Sequence, residues 1–294
     1  MPVVRFPDRG ASRGARAAAS ALALVTAFLA IGPAAANPRP LPFTYPWETL
    51  SKGEAEIEQI VDVAPLRVFE ASGSRKTVVE PRYELQTEVE YGITDRLELG
   101  LYFVAKNAPE EAGAGAPLVF DGLKQRLRYR IGKEGQLPVD ISVYFEIAEL
   151  RDELELEEKV NLQKRFGSLK LMSNLWVEQA FERGGNVALT LHPTVGATYQ
   201  FTPNLWLGAE YWMQAEIPLH EAEEEGEAKG VAHDSPASFN QRAHHFAGPA
   251  LSLVWDKLWC STGAYARIDE FSRAMQPGDK LGHLYVRTVM GLQF

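Results

Sequence analysis

The chain has 294 residues, 46% of them hydrophobic and 23% charged, with a formal net charge of −9. That balance excludes long disorder and collagen-like repeats, and the acidic sign argues against a nucleic-acid partner, which needs a basic surface. One cysteine, Cys260, excludes a disulfide framework and a cysteine-based zinc site. Mean hydropathy is slightly negative, too polar for a bundle of membrane helices but compatible with a membrane barrel, whose polar lumen dilutes its apolar face.

Residues 1–36 read as a cleaved secretory signal peptide. Arg5, Arg9, Arg13 and Arg16 make a basic start, Ala21 to Ile31 is an apolar run, Gly32-Pro33 breaks it, and Ala34-Ala35-Ala36 offers small residues to a signal peptidase. The run is shorter than the ~20 residues a spanning helix wants, and no cysteine follows it for lipidation. Residues 37–50 open with NPRPLPFTYP, whose four prolines favour an extended chain. We expect a Pro-rich periplasmic leader here, with a lumen plug as the other placement. Residues 51–294 remain for the folded unit.

That unit repeats with a period of two. After an opening strand, Glu54 to Val63, Tyr83, Leu85, Thr87, Val89 and Tyr91 alternate with Arg82, Glu84, Gln86, Glu88 and Glu90. Leu97, Leu99, Leu101 and Phe103 alternate with Arg96, Glu98, Gly100 and Tyr102, and Leu123 to Ile131 alternates with Lys124, Arg126, Arg128 and Arg130. Val139 to Ile147 alternates with Asp140, Ser142, Tyr144 and Glu146. The pattern continues less cleanly near 154–162, 169–177, 187–199, 205–213, 246–255 and 258–267, and returns at Leu284 to Phe294. Leu150 to Val160 is rich in helix formers, yet its second half keeps the strand face through Leu162. Helical spacing is absent, so each segment is a two-faced strand, and we count twelve. The joins alternate between short ones (93–95, 167–168, 202–204, 256–257) and longer ones (64–80, 106–120, 217–243, 269–280). An all-β, transmembrane, antiparallel up-and-down β-barrel of about twelve strands, with short periplasmic turns and long extracellular loops, fits this pattern. Aromatic residues gather near both strand ends, Tyr91, Phe166, Tyr199, Phe201, Trp206, Trp255, Trp259 and Phe294 by the short turns, and Phe103, Phe120, Phe145, Tyr211, Trp212, Phe246 and Tyr265 by the long loops. Two bands are what interfacial girdles require.

The terminal strand LYVRTVMGLQF, ending in Phe294, resembles the last strand of Gram-negative outer-membrane β-barrel proteins. The resemblance implies that this segment is the signal read by the barrel assembly machinery. YGITDRLELGLYF, Tyr91 to Phe103, is similar to hairpins of outer-membrane channels of the "MetA-pathway of phenol degradation" type. It implies a channel but brings no solute with it.

The polar face carries the functional expectation. Glu84, Glu88, Glu90 and Glu98 would stand beside the ladder Lys124, Arg126, Arg128 and Arg130, with Glu146, Lys159 and Arg287 also turned inward. These are the expected pore-lining residues of a small channel for passive passage of small polar or charged solutes. A non-conducting structural or loop-interaction barrel is the alternative, with these charges as salt bridges filling the lumen. An outer-membrane lipid hydrolase is a further one, but the strand serines Ser142, Ser173 and Ser252 and the inward His192 make no G-x-S-x-G or His/Ser motif. We therefore expect no enzyme, no catalytic residue, no metal and no cofactor. The expected partners are outer-membrane lipid and lipopolysaccharide, the assembly machinery, and small solutes. The acidic run Glu221 to Glu227 and the nearby His233 read as a solvated loop. The adjacent His244 and His245 point to opposite faces of a strand, so they cannot easily share a metal.

Overall fold

The computed structural model describes residues 38–70, 74–220, 243–269, 276–277 and 279–294. The expected signal peptide and the acidic run 221–227 with His233 lie outside the described residues. The described chain is almost wholly β, with segments β1 (Ala55–Phe69), β2 (Thr77–Gly92), β3 (Leu97–Lys106), β4 (Val119–Ile131), β5 (Asp140–Leu150), β6 (Glu153–Phe166), β7 (Leu169–Glu182), β8 (Val187–Leu191), β9 (Thr194–Thr202), β10 (Leu205–His220), β11 (Ala243–Trp255), β12 (Leu258–Arg267) and β13 (Leu284–Gln293). One helical turn, α1 (Pro109–Ala112), lies between β3 and β4.

Apart from β8 and β9, which do not pair with each other, each strand pairs antiparallel with its sequence neighbours, and β1 pairs with both β2 and β13, so the sheet closes on itself. Segments β8 and β9 are two halves of one strand. β8 pairs Leu191 with Ala215 and β9 pairs Val195 with Tyr211, the same register on β10. The break falls at His192-Pro193, where proline has no N–H to give the ladder. Counted this way the barrel has twelve strands, as the period-two reading expects. The ambiguous stretch after Leu150 is strand from Glu153 onward.

Alternation is why the sequence closes this way. Val89, Tyr91, Leu101, Phe103, Leu127, Tyr129, Phe145 and Leu175 are exposed on the outside, while Glu88, Glu90, Glu98, Arg126 and Arg128 are buried inside. An apolar outer belt suits hydrocarbon, where an open edge would leave backbone groups unpaired at several kcal/mol each.

Three expectations need correction. The join 64–80 is mostly strand, because β1 runs to Phe69 and β2 starts at Thr77. Ala64, Leu66 and Val68 turn inward there and pack with Val78, Ala114 and Tyr285, while Pro65, Arg67 and Phe69 take the other face, so the inward face is apolar and the alternation is masked. The girdle is also smaller than expected. Tyr91, Phe166, Tyr199, Phe201, Phe294, Phe103, Phe120 and Phe145 are exposed outward, but Trp206, Trp212, Phe246, Trp259 and Tyr265 are buried. They pack inside the barrel in two apolar clusters.

The third correction concerns the Pro-rich segment. Residues 39–50 are not a free leader in the periplasm; they run inside the barrel as a plug. From β1 the chain enters at the short-turn end, where Leu50 N–H donates to Glu98 Oε2 at 2.7 Å. Deeper in, Asn174 takes the place of a strand neighbour for Tyr45, accepting its N–H at 2.7 Å and donating Nδ2 to its carbonyl at 3.0 Å. Thr44 Oγ1 meets Thr194 Oγ1 at 2.9 Å, and the Phe43 and Thr44 N–H groups donate to Glu210. Phe43 is the apex. It touches Trp212, Tyr265 and Tyr285, after which the chain turns back and the Arg39 carbonyl accepts from Ser261 Oγ at 2.6 Å. On β12 Ser261 lies closer to the short-turn end than Tyr265 does, so the plug is a hairpin. Gly208 makes room for it, since a Cβ there would stand 3.2 Å from Leu41 Cδ2 and 2.6 Å from the Ala197 carbonyl oxygen.

Candidate functional site

Strand register builds the interior row by row. Glu90, Gly100, Arg126, Glu146, Glu157 and Glu178 are successive cross-strand partners from β2 to β7. Barrel strands tilt, so such a row climbs the wall. Its lower part is a closed ionic cluster and its upper part faces a water-filled vestibule.

In the cluster, the fully buried Arg126 guanidinium holds Glu88 through Nε at 2.5 Å, Glu98 through Nη1 at 2.5 Å, and Glu90 through Nη2. Tyr102 OH is 3.1 Å from Nε. Arg128 adds a second contact to Glu98 at 2.7 Å. Gly100 permits this, because a Cβ there would fall 2.6 Å from Arg126 Nε. Charge-assisted bonds of this kind are the strong ones, and every lost partner would leave a buried charge uncompensated. Glu56 and Glu58 on β1 face the same region, Glu56 accepting from Trp259 Nε1 at 2.6 Å.

Charged wall groups also grip the plug. Lys159 Nζ stands 4.4 Å from the ring centre of Tyr45, 4.3 Å from Tyr144 and 3.7 Å from Trp176, a cage with one wall supplied by the plug. Arg130 covers Trp47 at 4.8 Å, and Arg287, held by Asp62 at 2.5 Å, covers Phe43 at 3.9 Å. Glu48 of the plug accepts from Lys170 Nζ at 2.8 Å and Gln163 Nε2 at 3.0 Å. Burial pushes the Glu48 carboxyl up, but the Lys170 ammonium and these hydrogen bonds outweigh it and hold it at about 2.

Above the plug lies a cavity of about 1620 Å³, floored by Phe43, Trp176, His192, Trp212, Tyr285 and Arg287. It reaches the exposed residues Glu182, Arg183 and Gly184 at the long-loop end. Below the apex a small gap of about 10 Å³ lies between Arg39, Tyr45, Glu56, Glu58 and Glu90, about room for one water. The vestibule thus stands above a plug that is buried against the barrel wall.

All the expected pore-lining side chains face the interior, but they do different things. Glu84, Lys124 and Arg287 line the vestibule. Glu88, Glu90, Glu98, Arg126 and Arg128 are packed into the buried cluster. Glu146 bonds to Lys124 at 3.3 Å and accepts from Tyr144, while Lys159 also pairs with Glu157 at 2.5 Å. Arg130 belongs to the plug contact. Sequence reasoning passed over Glu56, Glu58, Glu210 and Glu216. The same alternation would have found the first two, which share an inward face of β1 with Asp62. His192 stacks on Trp176 at 4.0 Å, and Ser142 bonds to Asn161 at 3.1 Å. His244 and His245 diverge as expected, toward Arg267 and toward Tyr211. Among the described residues, Glu58, Glu88 and Glu90 are close enough together to share an ion.

Fold and site together define a closed twelve-strand β-barrel of the outer-membrane type with an internal N-terminal plug. The chain belongs to the family of unknown function DUF6662, which it matches over residues 34–272. No curated protein matches it. Among solved structures it is similar to the COG4313 outer membrane channel from Pseudomonas putida F1, with a TM-score of 0.56 and 10% identity over 84% of this chain and 98% of that one. A NanC porin aligns over 81% of this chain and 98% of its own at 7% identity, with a TM-score of 0.49. The likeness to outer-membrane channels holds for the fold, and the family whose model matches is DUF6662.

Proposed function

We propose that this protein is an outer-membrane channel for small polar or charged solutes, with its vestibule open to the exterior and its plug closing the periplasmic half. The observation that carries the reading is the 1620 Å³ polar cavity within a closed barrel, ending on the plug apex Phe43. A cavity that size exceeds what packing alone leaves in a protein interior. Similarity in fold to a known outer-membrane channel supports it. Lipid and lipopolysaccharide would cover the apolar belt. The terminal strand, whose Phe294 N–H bonds to the Ala55 carbonyl at 2.8 Å, would engage the assembly machinery. The reading is of transport and not of catalysis.

The plug favours a second reading, a barrel that does not conduct and acts through its loops, because the plug residues are buried against the wall below the apex. Liposome swelling separates the two. Proteoliposomes holding a chain that lacks residues 38–50 should take up small polar solutes faster than protein-free vesicles. If neither the full chain nor the deletion raises the rate, the channel reading is wrong.

A further inference from the structure

The plug is held as a ligand is held, and not as a strand of the sheet. The sheet closes through β1 and β13 without it. Among the described residues no main-chain hydrogen bond links residues 39–50 to a strand. The plug joins β1 through a short link that contains the exposed Ser51, Lys52 and Gly53.

Instead, wall side chains from four strands read its main chain. Glu210 accepts the Phe43 N–H at 3.1 Å, Asn174 brackets Tyr45 on both its N–H and its carbonyl, Gln163 accepts the Trp47 N–H at 3.3 Å, and Glu98 accepts the Leu50 N–H. All four wall residues are more than nine-tenths buried. Gln163 commits both ends of its amide to the plug, since its Nε2 donates to Glu48. Pro40, Pro42 and Pro46 bring no N–H that would need an acceptor, so an extended chain without strand neighbours can be buried here. Side chains are read as well. Three plug rings meet three wall cations: Phe43 with Arg287 at 3.9 Å, Tyr45 with Lys159 at 4.4 Å, and Trp47 with Arg130 at 4.8 Å. Main-chain contacts give affinity for an extended chain, and side-chain pockets give specificity and register.

We infer that the wall below the vestibule is a binding groove for extended peptides with aromatic side chains, and that residues 39–50 occupy it as a tethered ligand which a free peptide of the same chemistry replaces. So short a link holds the plug at an effective concentration on the order of millimolar, which masks the groove until the link is cut. The vestibule opens onto Phe43 and gives an incoming chain a route. Its wall carries twelve carboxylates against six Lys or Arg side chains, a field that favours cationic chains on the way in. The groove rests on its own contacts and exists whether or not the barrel conducts.

The test uses the full chain with a specific protease site inserted between Lys52 and Gly53, refolded in detergent and then cleaved, so that contacts alone hold the plug. An isotope-heavy synthetic peptide of residues 38–50 is added in excess, and mass spectrometry of the barrel-bound fraction gives the ratio of heavy to light peptide. Within a day the heavy peptide should replace the cut segment in proportion to its share of the total. A peptide with Phe43→Ala, Tyr45→Ala and Trp47→Ala together, and one of scrambled order, should each compete at least tenfold less well. In the wall, Arg130→Gln should reduce the preference for Trp47 over Ala at that position and leave the preference for Phe43 unchanged. Asn174→Ala should lower the retention of every peptide, the ringless one included. Heat-modifiable gel migration confirms that each barrel is folded, and Arg130→Gln serves alone if Asn174→Ala is not. A cut segment that does not exchange, or that leaves with no heavy peptide taking its place, overturns the inference. So does equal competition by the ringless or scrambled peptide, or a Trp47 preference unchanged in Arg130→Gln. Exchange in a cleaved barrel without flux retains the groove and removes the channel reading.

Discussion

Removing Arg126 should unfasten the interior of the barrel. Its guanidinium is without solvent exposure and spans Glu88, Glu90 and Glu98, with Tyr102 against it. Arg126→Met keeps much of the side-chain volume and deletes the charge. Three carboxylates then lose their main counter-ion, with Arg128 left to serve Glu98. Breaking a buried ion pair by deleting one partner costs about 3–5 kcal/mol. With a urea dependence of about 2 kcal/mol per molar, that is a fall of ~1.5–2.5 M in the unfolding midpoint. The assay is urea unfolding of the refolded barrel in lipid vesicles, followed by tryptophan fluorescence. Replacing Glu88 and Glu90 by Gln in the same chain should restore most of the loss, because neutral partners have no charge to leave stranded. A fall below about 0.5 M for Arg126→Met alone would refute the reasoning. It would mean that water reaches the cluster and screens it like a surface pair.

Two further outcomes follow from the same geometry. The Glu48 carboxyl is held at about 2 inside the barrel, below its ordinary value near 4.5, so its contribution to stability is present above pH ~4.5 and is lost as pH falls toward 2. The stability difference between the wild type and Glu48→Gln should therefore be constant at neutral pH and shrink across that window, as urea midpoints at several pH values would show. On the outer face, Leu101 is exposed in the middle of β3, and Leu101→Arg should cost about 2–4 kcal/mol in vesicles if that face meets hydrocarbon; an effect near zero in the same unfolding assay would place water there.

The barrel is legible because most exposed strand positions on the outside are apolar and their neighbours are not, as in Val89 against Glu88 and Glu90, with Gln125 and Glu158 as exceptions. That signal fails where the inward face is apolar and the outward one carries Pro65 and Arg67, which is why the β1–β2 extension around Leu66 and Val68 reads as loop. It also cannot tell an outward aromatic ring from an inward one near a strand end, so Trp212 and Tyr265 read as girdle residues although they support the plug apex. The plug itself has no period. An extended Pro-rich chain carries its partners far away in sequence, Glu98 for Leu50, Asn174 for Tyr45, Glu210 for Phe43, and nothing local marks those pairings. The inward direction of Glu88 and Arg126 was readable from parity. Whether they meet water or each other depended on that plug.

Single-channel recording in planar bilayers tests the central claim most directly. The full chain should show little or no steady current, because the plug fills the periplasmic half, and deletion of residues 38–50 should give stable, cation-preferring steps of much larger size. A deletion variant that is folded, inserted and still silent would contradict the account, as would a full chain that conducts as freely as the variant without its plug.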